Sequence, residues 1–118
     1  MKIFLICPVR NANEKQIKLI NNYIIKQENL GNTVFYPARD NLLEHSDTCG
    51  YDICSVNCNA IKNCDEVHIF WDENSQGSLF DLGSAFALNK KLVIVNQDQI
   101  KKTDCKSFSN MINLWSKK

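Results

Sequence analysis

Short apolar runs alternate along the chain with stretches in which apolar residues recur every three or four positions. The runs have the length of β-strands and cover residues 2–7, 33–36, 66–71 and 91–95. The recurring spacing between them is that of amphipathic helices. It predicts helices from about residue 13 to 30, through 53–61, over 78–88 and over 107–115. Asn11 or Asn13 is expected to cap the first helix, and Gly31 to end it.

Continuous apolar strands separated by helices predict a parallel sheet that is covered on both faces. Right-handed crossovers then give an α/β three-layer sandwich with a small doubly wound, flavodoxin-like sheet of four to five strands. The 118 residues fit a single domain over 1–118. The longest irregular segment is predicted over 38–50, and loops of this length in compact domains are often functional.

The predicted topology brings three polar segments to one edge of the sheet. Ligands of such sheets bind beyond the carboxyl ends of the strands. The segments that follow the first three strands are residues 8–13, 37–51 and 72–81. We therefore expect a ligand crevice formed by these three segments.

Composition narrows the classes of partner and site. The 14 basic and 13 acidic residues nearly cancel, which argues against nucleic acid or an acidic membrane as a partner. The first apolar run is too short to span a bilayer and lacks a cleavage site, so we read it as a buried strand and expect a cytoplasmic protein. The six cysteines are expected to be reduced, mostly buried thiols. Neither a metal nor a cofactor is predicted.

The richest stretch follows the third strand and reads SQGSLFDLGSA over residues 75–85. A glycine before a helix lets backbone N–H groups approach an anion, and Ser75 and Ser78 add hydroxyl donors. Asp81 is expected on the first helical turn, where the helix dipole favours its ionised form. An ionised carboxylate beside a sugar can attack the anomeric carbon. On local pattern alone, Ser78 and Asp81 more often form a capping box at a helix start.

This stretch resembles the nucleoside 2-deoxyribosyltransferase family, which includes the 2′-deoxynucleoside 5′-monophosphate N-glycosidases. The resemblance runs from residue 2 to about 95 and is most specific over residues 77–85. Residues 6–11, 51–70 and 87–94 support it. It implies an enzyme that acts on a small-molecule nucleoside or nucleotide. It also implies a homodimer or larger homo-oligomer, since a neighbouring subunit usually completes the sites of this family.

The resemblance assigns roles residue by residue. Asp81 falls on the nucleophile, which is usually Glu in the family and is here one methylene shorter. Asn57 falls in the catalytic set, where many members carry an Asp near the leaving base. The substrate-binding set, which includes the family's phosphate contacts, consists of Cys7, Pro8, Arg10, Asp72, Ser75, Gly77 and Ser78.

Three hypotheses follow. The first is an enzyme that cleaves or transfers at an N-glycosidic bond through a glycosyl-enzyme intermediate, with hydrolase and transferase both open. The second is a nucleotide-binding module that kept the pocket and lost most turnover, which Asp81 and Asn57 favour. The third is a flavodoxin-like signalling domain in which Asp81 is only a cap. Beside the crevice, Trp71 is expected either to stack on a base or to pack against neighbouring loops, and Arg39 and Asp40 to form a surface pair.

Overall fold

A computed structural model describes residues 1–8 and 12–118 of the chain. Its strands are β1 (Lys2–Ile6), β2 (Thr33–Phe35), β3 (Glu66–Ile69) and β4 (Lys91–Ile94). Its helices are α1 (Glu14–Asn29), α2 (Pro37–Asp40), α3 (Tyr51–Asn63), α4 (Gln76–Ala87) and α5 (Phe108–Trp115), with a 3-10 turn at Gln97–Gln99. Within the described ranges, no helix is both long and apolar enough to cross a membrane.

The four strands form one parallel sheet in the order β2-β1-β3-β4. The two central strands are the most apolar, and β1 is buried from Ile3 to Ile6. This order is flavodoxin-like and confirms the predicted α/β class, with four strands. The carboxyl ends of β1 and β3 lie side by side, since Ile6 pairs with Ile69.

The core has two halves, one on each face of the sheet. On one face, Ile3 and Leu5 of β1 pack with Ile20 and Ile24 of α1. On the other face, the alternate residues of β1 pack with one or two buried residues from each of α3, α4 and α5, namely Ile61, Leu82, Ala85 and Ile112. Successive strand residues point to opposite faces, so β1 serves both halves. The three-layer sandwich is confirmed.

The ends of α1 follow from local chemistry. Asn13 is the N-cap: its side-chain oxygen accepts a hydrogen bond from the Gln16 backbone N–H at 2.8 Å, and Gln16 returns one from Asn13 N–H at 3.0 Å. Gly31 follows the helix with φ of +89°, a conformation that glycine adopts without strain. Both features confirm the predicted boundaries.

The structure corrects two expectations outside the candidate site. The segment predicted as irregular begins with the short helix α2, because Pro37 occupies its first turn and the Asp40 carboxylate accepts a hydrogen bond from Tyr36 N–H at 2.7 Å. The cysteines are free but not mostly buried. Cys7 and Cys64 are buried and Cys54 is half-buried, whereas Cys49, Cys58 and Cys105 are exposed. In the described part of the chain, no group of three or more ligating side chains is arranged to hold a metal ion.

Candidate active site

Asp81 lies one turn deeper in α4 than the sequence predicted. The N-cap of α4 is Ser75, whose side-chain oxygen accepts a hydrogen bond from Ser78 N–H at 3.3 Å. Asp81 is therefore the sixth residue of the helix. The predicted capping box of Ser78 with Asp81 is wrong, because Ser75 already performs the capping role.

The protonation of Asp81 is governed by its burial. Desolvation raises the pKa of this carboxyl from its ordinary 3.8 to about 7, and the negative charge of Glu44 adds to the shift. The expectation that the helix dipole keeps Asp81 ionised is wrong. The dipole acts mainly on the first turn, and Asp81 lies beyond it. At neutral pH the site therefore holds a carboxyl group that readily gains or loses a proton.

Three other segments place titratable groups around Asp81. Cys7 follows β1, Glu44 lies in the turn after α2, and Cys54 lies on α3. Burial raises the pKa of the Cys7 thiol to about 12, and the charges of Asp81 and Glu44 act in the same direction. Burial and the same two charges also raise the pKa of Cys54. Both thiols are thus neutral and poorly nucleophilic at pH 7.

Asn57 is a buried anchor on α3. It is 6% exposed, and its side-chain oxygen accepts a hydrogen bond at 2.9 Å from the side-chain N–H of Asn41, which is 3% exposed. Asn41 also donates to the backbone oxygen of Ile53 at 3.2 Å. These bonds fasten the start of the turn after α2 to the middle of α3.

The rest of this turn is held by its own polar groups. The Asn41 side-chain oxygen accepts from Leu43 N–H at 3.0 Å, and Glu44 N–H donates to the backbone oxygen of Asn41 at 3.1 Å. The Asp47 carboxylate accepts from Ile53 N–H at 3.0 Å, and such backbone bonds lower the pKa of Asp47. Glu44 is thus carried by a segment that is fixed at both ends to α3.

Two buried polar atoms of the site have no hydrogen-bond partner in the described part of the chain. They are Oε2 of Glu44 and Oγ of Ser78. Ser78 is 2% exposed and lies three residues before Asp81, on the same face of α4. Unpaired buried polar atoms are rare in folded proteins, and each calls for a physical reason.

The remaining predicted substrate-binding residues lie around this centre or outside it. Pro8 is buried, and Arg10 lies outside the described residues. Asp72 organises the loop before α4: its carboxylate accepts from Asn74 N–H at 3.0 Å. Gly77 was expected to precede a helix but is the second residue of α4, where an added Cβ would meet nothing within 4 Å. The structure therefore leaves open space beside Gly77.

The aromatic and charged residues considered beside the crevice, Trp71, Arg39 and Asp40, make structural contacts. Trp71 is 8% exposed and packs in the core, and its indole N–H donates to Ser109 Oγ at 3.1 Å, so it does not offer a face to a base. Arg39 donates to Asp40 at 2.8 Å, as expected for a surface pair. The Asp40 carboxylate also caps α2.

An open groove of about 550 Å³ adjoins Asp81 between α3 and α4, within the range of small-molecule sites. It shares Cys54 with the surroundings of Asp81, and Phe80 is the chain neighbour of that carboxyl. The groove does not include Asp81 or Glu44 in its lining, and it is mostly apolar. It offers a surface for a flat apolar group rather than for a charged one.

Glu44 and Asn41 were missed by sequence reasoning. The topology placed their segment at the crevice, but three acidic residues lie in that segment, at positions 40, 44 and 47. No periodicity distinguishes an acid that faces a pocket from one that caps a helix. The only local signal was the spacing of Asn41 from Leu43, which fits a side-chain turn.

Known proteins share this fold. The family model described as nucleoside 2-deoxyribosyltransferase matches residues 3–115. The chain belongs to this family. The match covers all four strands and α1 to α5, and it confirms the resemblance seen in the sequence.

Two solved structures illustrate the range of the nucleoside 2-deoxyribosyltransferase fold. A 2-deoxyribosyltransferase from the psychrotolerant bacterium Bacillus psychrosaccharolyticus matches over 80% of this chain and 71% of its own, with 25% identity and a TM-score of 0.65. A CMP N-glycosidase from Clostridium botulinum matches over 80% of this chain and 70% of its own, with 25% identity and a TM-score of 0.56. No curated protein sequence shows significant similarity to the chain. One relative is named for transfer and the other for N-glycosidic cleavage, so family membership alone leaves both reactions open.

Proposed function

We propose that this protein cleaves or transfers at the N-glycosidic bond of a nucleoside or deoxynucleoside, or of its 5′-monophosphate, with Asp81 as nucleophile. The observation that carries the proposal is the position of Asp81. It is a half-buried carboxyl group with a pKa of about 7, at the carboxyl edge of the sheet, in a chain of the nucleoside 2-deoxyribosyltransferase family. The ionised carboxylate attacks C1′ of the sugar as the base departs, and water or a second base then resolves the glycosyl-enzyme ester.

The surroundings support this assignment in three ways. Burial and the two carboxyl charges keep the Cys7 thiol neutral, so it does not compete as a nucleophile. The groove between α3 and α4 gives an apolar surface on which a base can lie. The open space beside Gly77, next to the Ser75 cap, leaves room for a phosphate or a sugar at the start of α4.

The test is an assay of base release and base exchange. The protein is incubated with deoxynucleosides, ribonucleosides and their 5′-monophosphates, with and without a free acceptor base, and the products are separated by chromatography. Release without acceptor identifies a hydrolase, and exchange identifies a transferase. Asp81→Ala should lose turnover by about 10⁴-fold or more, as expected when a nucleophile is removed.

Asp98→Ala is the matched control, since it removes an exposed carboxyl group on the 3-10 turn. It should leave turnover unchanged. Turnover that survives in Asp81→Ala would remove Asp81 from the mechanism. Absence of release and exchange for the whole panel would rule out N-glycosidic chemistry on these substrates.

A second candidate function is a nucleotide-binding module of the same fold with weak turnover. It is favoured by Asn57, a neutral side chain whose oxygen is engaged with Asn41 and which has no titratable proton to give to a departing base. Titration calorimetry with the same panel distinguishes the two functions. Binding without base release supports the module, and binding with release supports the enzyme.

A further inference from the structure

Glu44 is an acidic side chain of the site that has no role in the attack proposed for Asp81. Its Oε2 is buried and has no hydrogen-bond partner among the described residues. It is also the one described charge that acts on the pKa of Asp81, next to burial itself. A buried carboxylate oxygen without a donor is costly, and such groups persist mainly where a ligand or a reaction uses them.

Three other acidic side chains near this edge of the sheet already accept hydrogen bonds. The Asp40 carboxylate accepts from Tyr36 N–H and from Arg39. The Asp47 carboxylate accepts backbone N–H groups at the start of α3, and Asp72 accepts from Asn74 N–H. Neither the charge of Asp40 nor that of Asp72 contributes to the raised pKa of Asp81. Among the described acids, Glu44 is the one with a buried carboxylate oxygen that has no hydrogen-bond partner.

The hydrogen bond between Asn41 and Asn57 explains how Glu44 is positioned. It ties the beginning of the turn to α3, and Glu44 N–H closes the same turn onto the backbone oxygen of Asn41. Asn57 thus anchors the segment that carries Glu44, an acid at a different position from the Asp that many family members carry in place of Asn57. An Asn can serve this role because its amide both accepts and donates hydrogen bonds.

We propose that Glu44 is the second catalytic carboxyl group of this site: it takes the proton that Asp81 must lose before attack, and passes it to the departing base. The inference rests on the function proposed above. The proposed sequence begins with the proton on the Asp81 carboxyl group. The proton moves to Glu44, directly or through one water molecule.

The atoms and electrons then balance over two steps. In the first step, the Asp81 carboxylate forms an ester bond to C1′, the C1′–N bond breaks, and its electron pair leaves with the base, which takes the proton from Glu44. In the hydrolytic second step, water attacks C1′ and gives its proton to Glu44, and the Asp81 carboxylate is released. Two interacting carboxyl groups that share one proton can carry out both steps.

Ser78 supplies a group that can bind the substrate near Asp81. Its buried, unpaired Oγ lies on the face of α4 that also carries Asp81. A sugar hydroxyl bound there would satisfy that oxygen and keep C1′ beside the two carboxyl groups. The site then contains a nucleophile and a hydroxyl partner on α4 and a proton carrier on the turn after α2.

The first test is turnover of Glu44→Gln, a variant of the same shape without the acid. Release of an ordinary base should fall by about 10²–10⁴-fold, the usual contribution of a general acid. With a nitrophenyl glycoside of the same sugar, the initial burst of nitrophenolate that accompanies ester formation should keep nearly the wild-type rate. Nitrophenolate leaves without a proton, and Asp81 ionises more readily without the Glu44 charge. Glu73→Gln removes an exposed carboxyl group from a neighbouring loop and should leave both rates unchanged. Equal loss on both substrates, or no loss on either, would overturn the role of Glu44.

The second test needs no substrate and so separates this inference from the proposed function. The described groups that interact electrostatically with Asp81 are Glu44 from the turn, Cys7 after β1 and Cys54 on α3. Carbon-detected NMR titration of the Asp81 carboxyl should give a lower pKa in Glu44→Gln than in the wild type, and no change in Glu73→Gln. An unchanged Asp81 titration in Glu44→Gln would show that the two groups do not share a proton. Coupling found in a protein that releases no base would leave the pair real and the glycosidic reaction wrong.

Discussion

His68 on β3 and Asp81 on α4 are both titratable side chains with little access to solvent, and their surroundings differ sharply. Burial lowers the pKa of His68, so its ring is neutral at pH 7. The ring nitrogen Nε2 donates to the Glu66 carboxylate at 3.2 Å, and Nδ1 accepts from the Tyr23 hydroxyl at 2.6 Å. Lys91 donates to the other oxygen of Glu66 at 2.9 Å. Both ring nitrogens of His68 and both carboxylate oxygens of Glu66 therefore have a partner.

The surroundings of Asp81 lack such partners. Among the described residues, no hydrogen bond reaches the Asp81 carboxyl, and Glu44 Oε2 and Ser78 Oγ are buried and unpaired. A fold that completes the bonds of His68 is able to satisfy buried polar groups. The two buried polar atoms without partners, on Glu44 and Ser78, therefore set this edge apart from the His68 network and support the proposed ligand site.

The two regions should make stability depend on pH in opposite directions. Asp81 has a raised pKa when folded, so its stabilising share is full below its ordinary 3.8 and is lost as pH rises towards about 7. His68 has a lowered pKa when folded, so its share is present above its ordinary 6.5 and is lost as pH falls.

The largest expected effect is that of Asp81→Asn on stability. The amide has the same shape and no charge, so it removes the cost of an ionised buried carboxylate. At pH 8 the free energy of unfolding should increase by ~3 kcal/mol, while catalysis is lost. Below pH 4 the variant and the wild type should have similar stability. Denaturant titrations at pH 4, 6 and 8 measure this difference.

The control for this prediction is Asp98→Asn, which changes an exposed carboxyl group and should leave stability unchanged at each pH. A variant that is less stable than the wild type at pH 8 would instead show that the Asp81 carboxylate makes stabilising structural contacts. In that case the site would resemble the His68 region, with its polar groups used for structure.

The next largest effect is expected from Asn41→Ala. The substitution leaves the buried Asn57 side-chain oxygen without its donor and removes the additional hydrogen bond to the Ile53 backbone oxygen. The free energy of unfolding should fall by about 2 kcal/mol, the cost of an unpaired buried polar group. Turnover should fall as well, because the turn that carries Glu44 loses its anchor. Asn59→Ala, on the exposed side of α3, is the matched control and should change neither quantity.

Normal stability in Asn41→Ala would show that the turn is held by other bonds. Normal turnover in a destabilised variant would contradict the role of this anchor in placing Glu44. Because stability and turnover are measured separately, the structural and positioning roles of Asn41 are distinguished.

The same contrast explains what the sequence could and could not predict. The strands, α1 and the parallel sheet follow from apolar spacing and from the Asn13 and Gly31 boundaries, since these are local signals. Topology also placed the segment of Glu44 at the crevice. The depth of Asp81 in α4 was missed because Ser75 and Ser78 are equally good caps by pattern, and only the fold decides between them. The choice of Glu44 over Asp40 and Asp47 depends on which acid meets a backbone N–H, which no sequence spacing specifies.

The smallest effect is expected from Tyr23→Phe, on the satisfied side of the comparison. The substitution removes the hydroxyl that donates to His68 Nδ1 and leaves that nitrogen without its partner. The free energy of unfolding at pH 7 should fall by about 1 kcal/mol, the net value of a neutral hydrogen bond. Turnover should stay at the wild-type level, because α1 and His68 lie on the sheet face opposite α4. A loss of turnover at unchanged stability would mean that the His68 network serves the reaction, and the two regions would no longer differ in purpose.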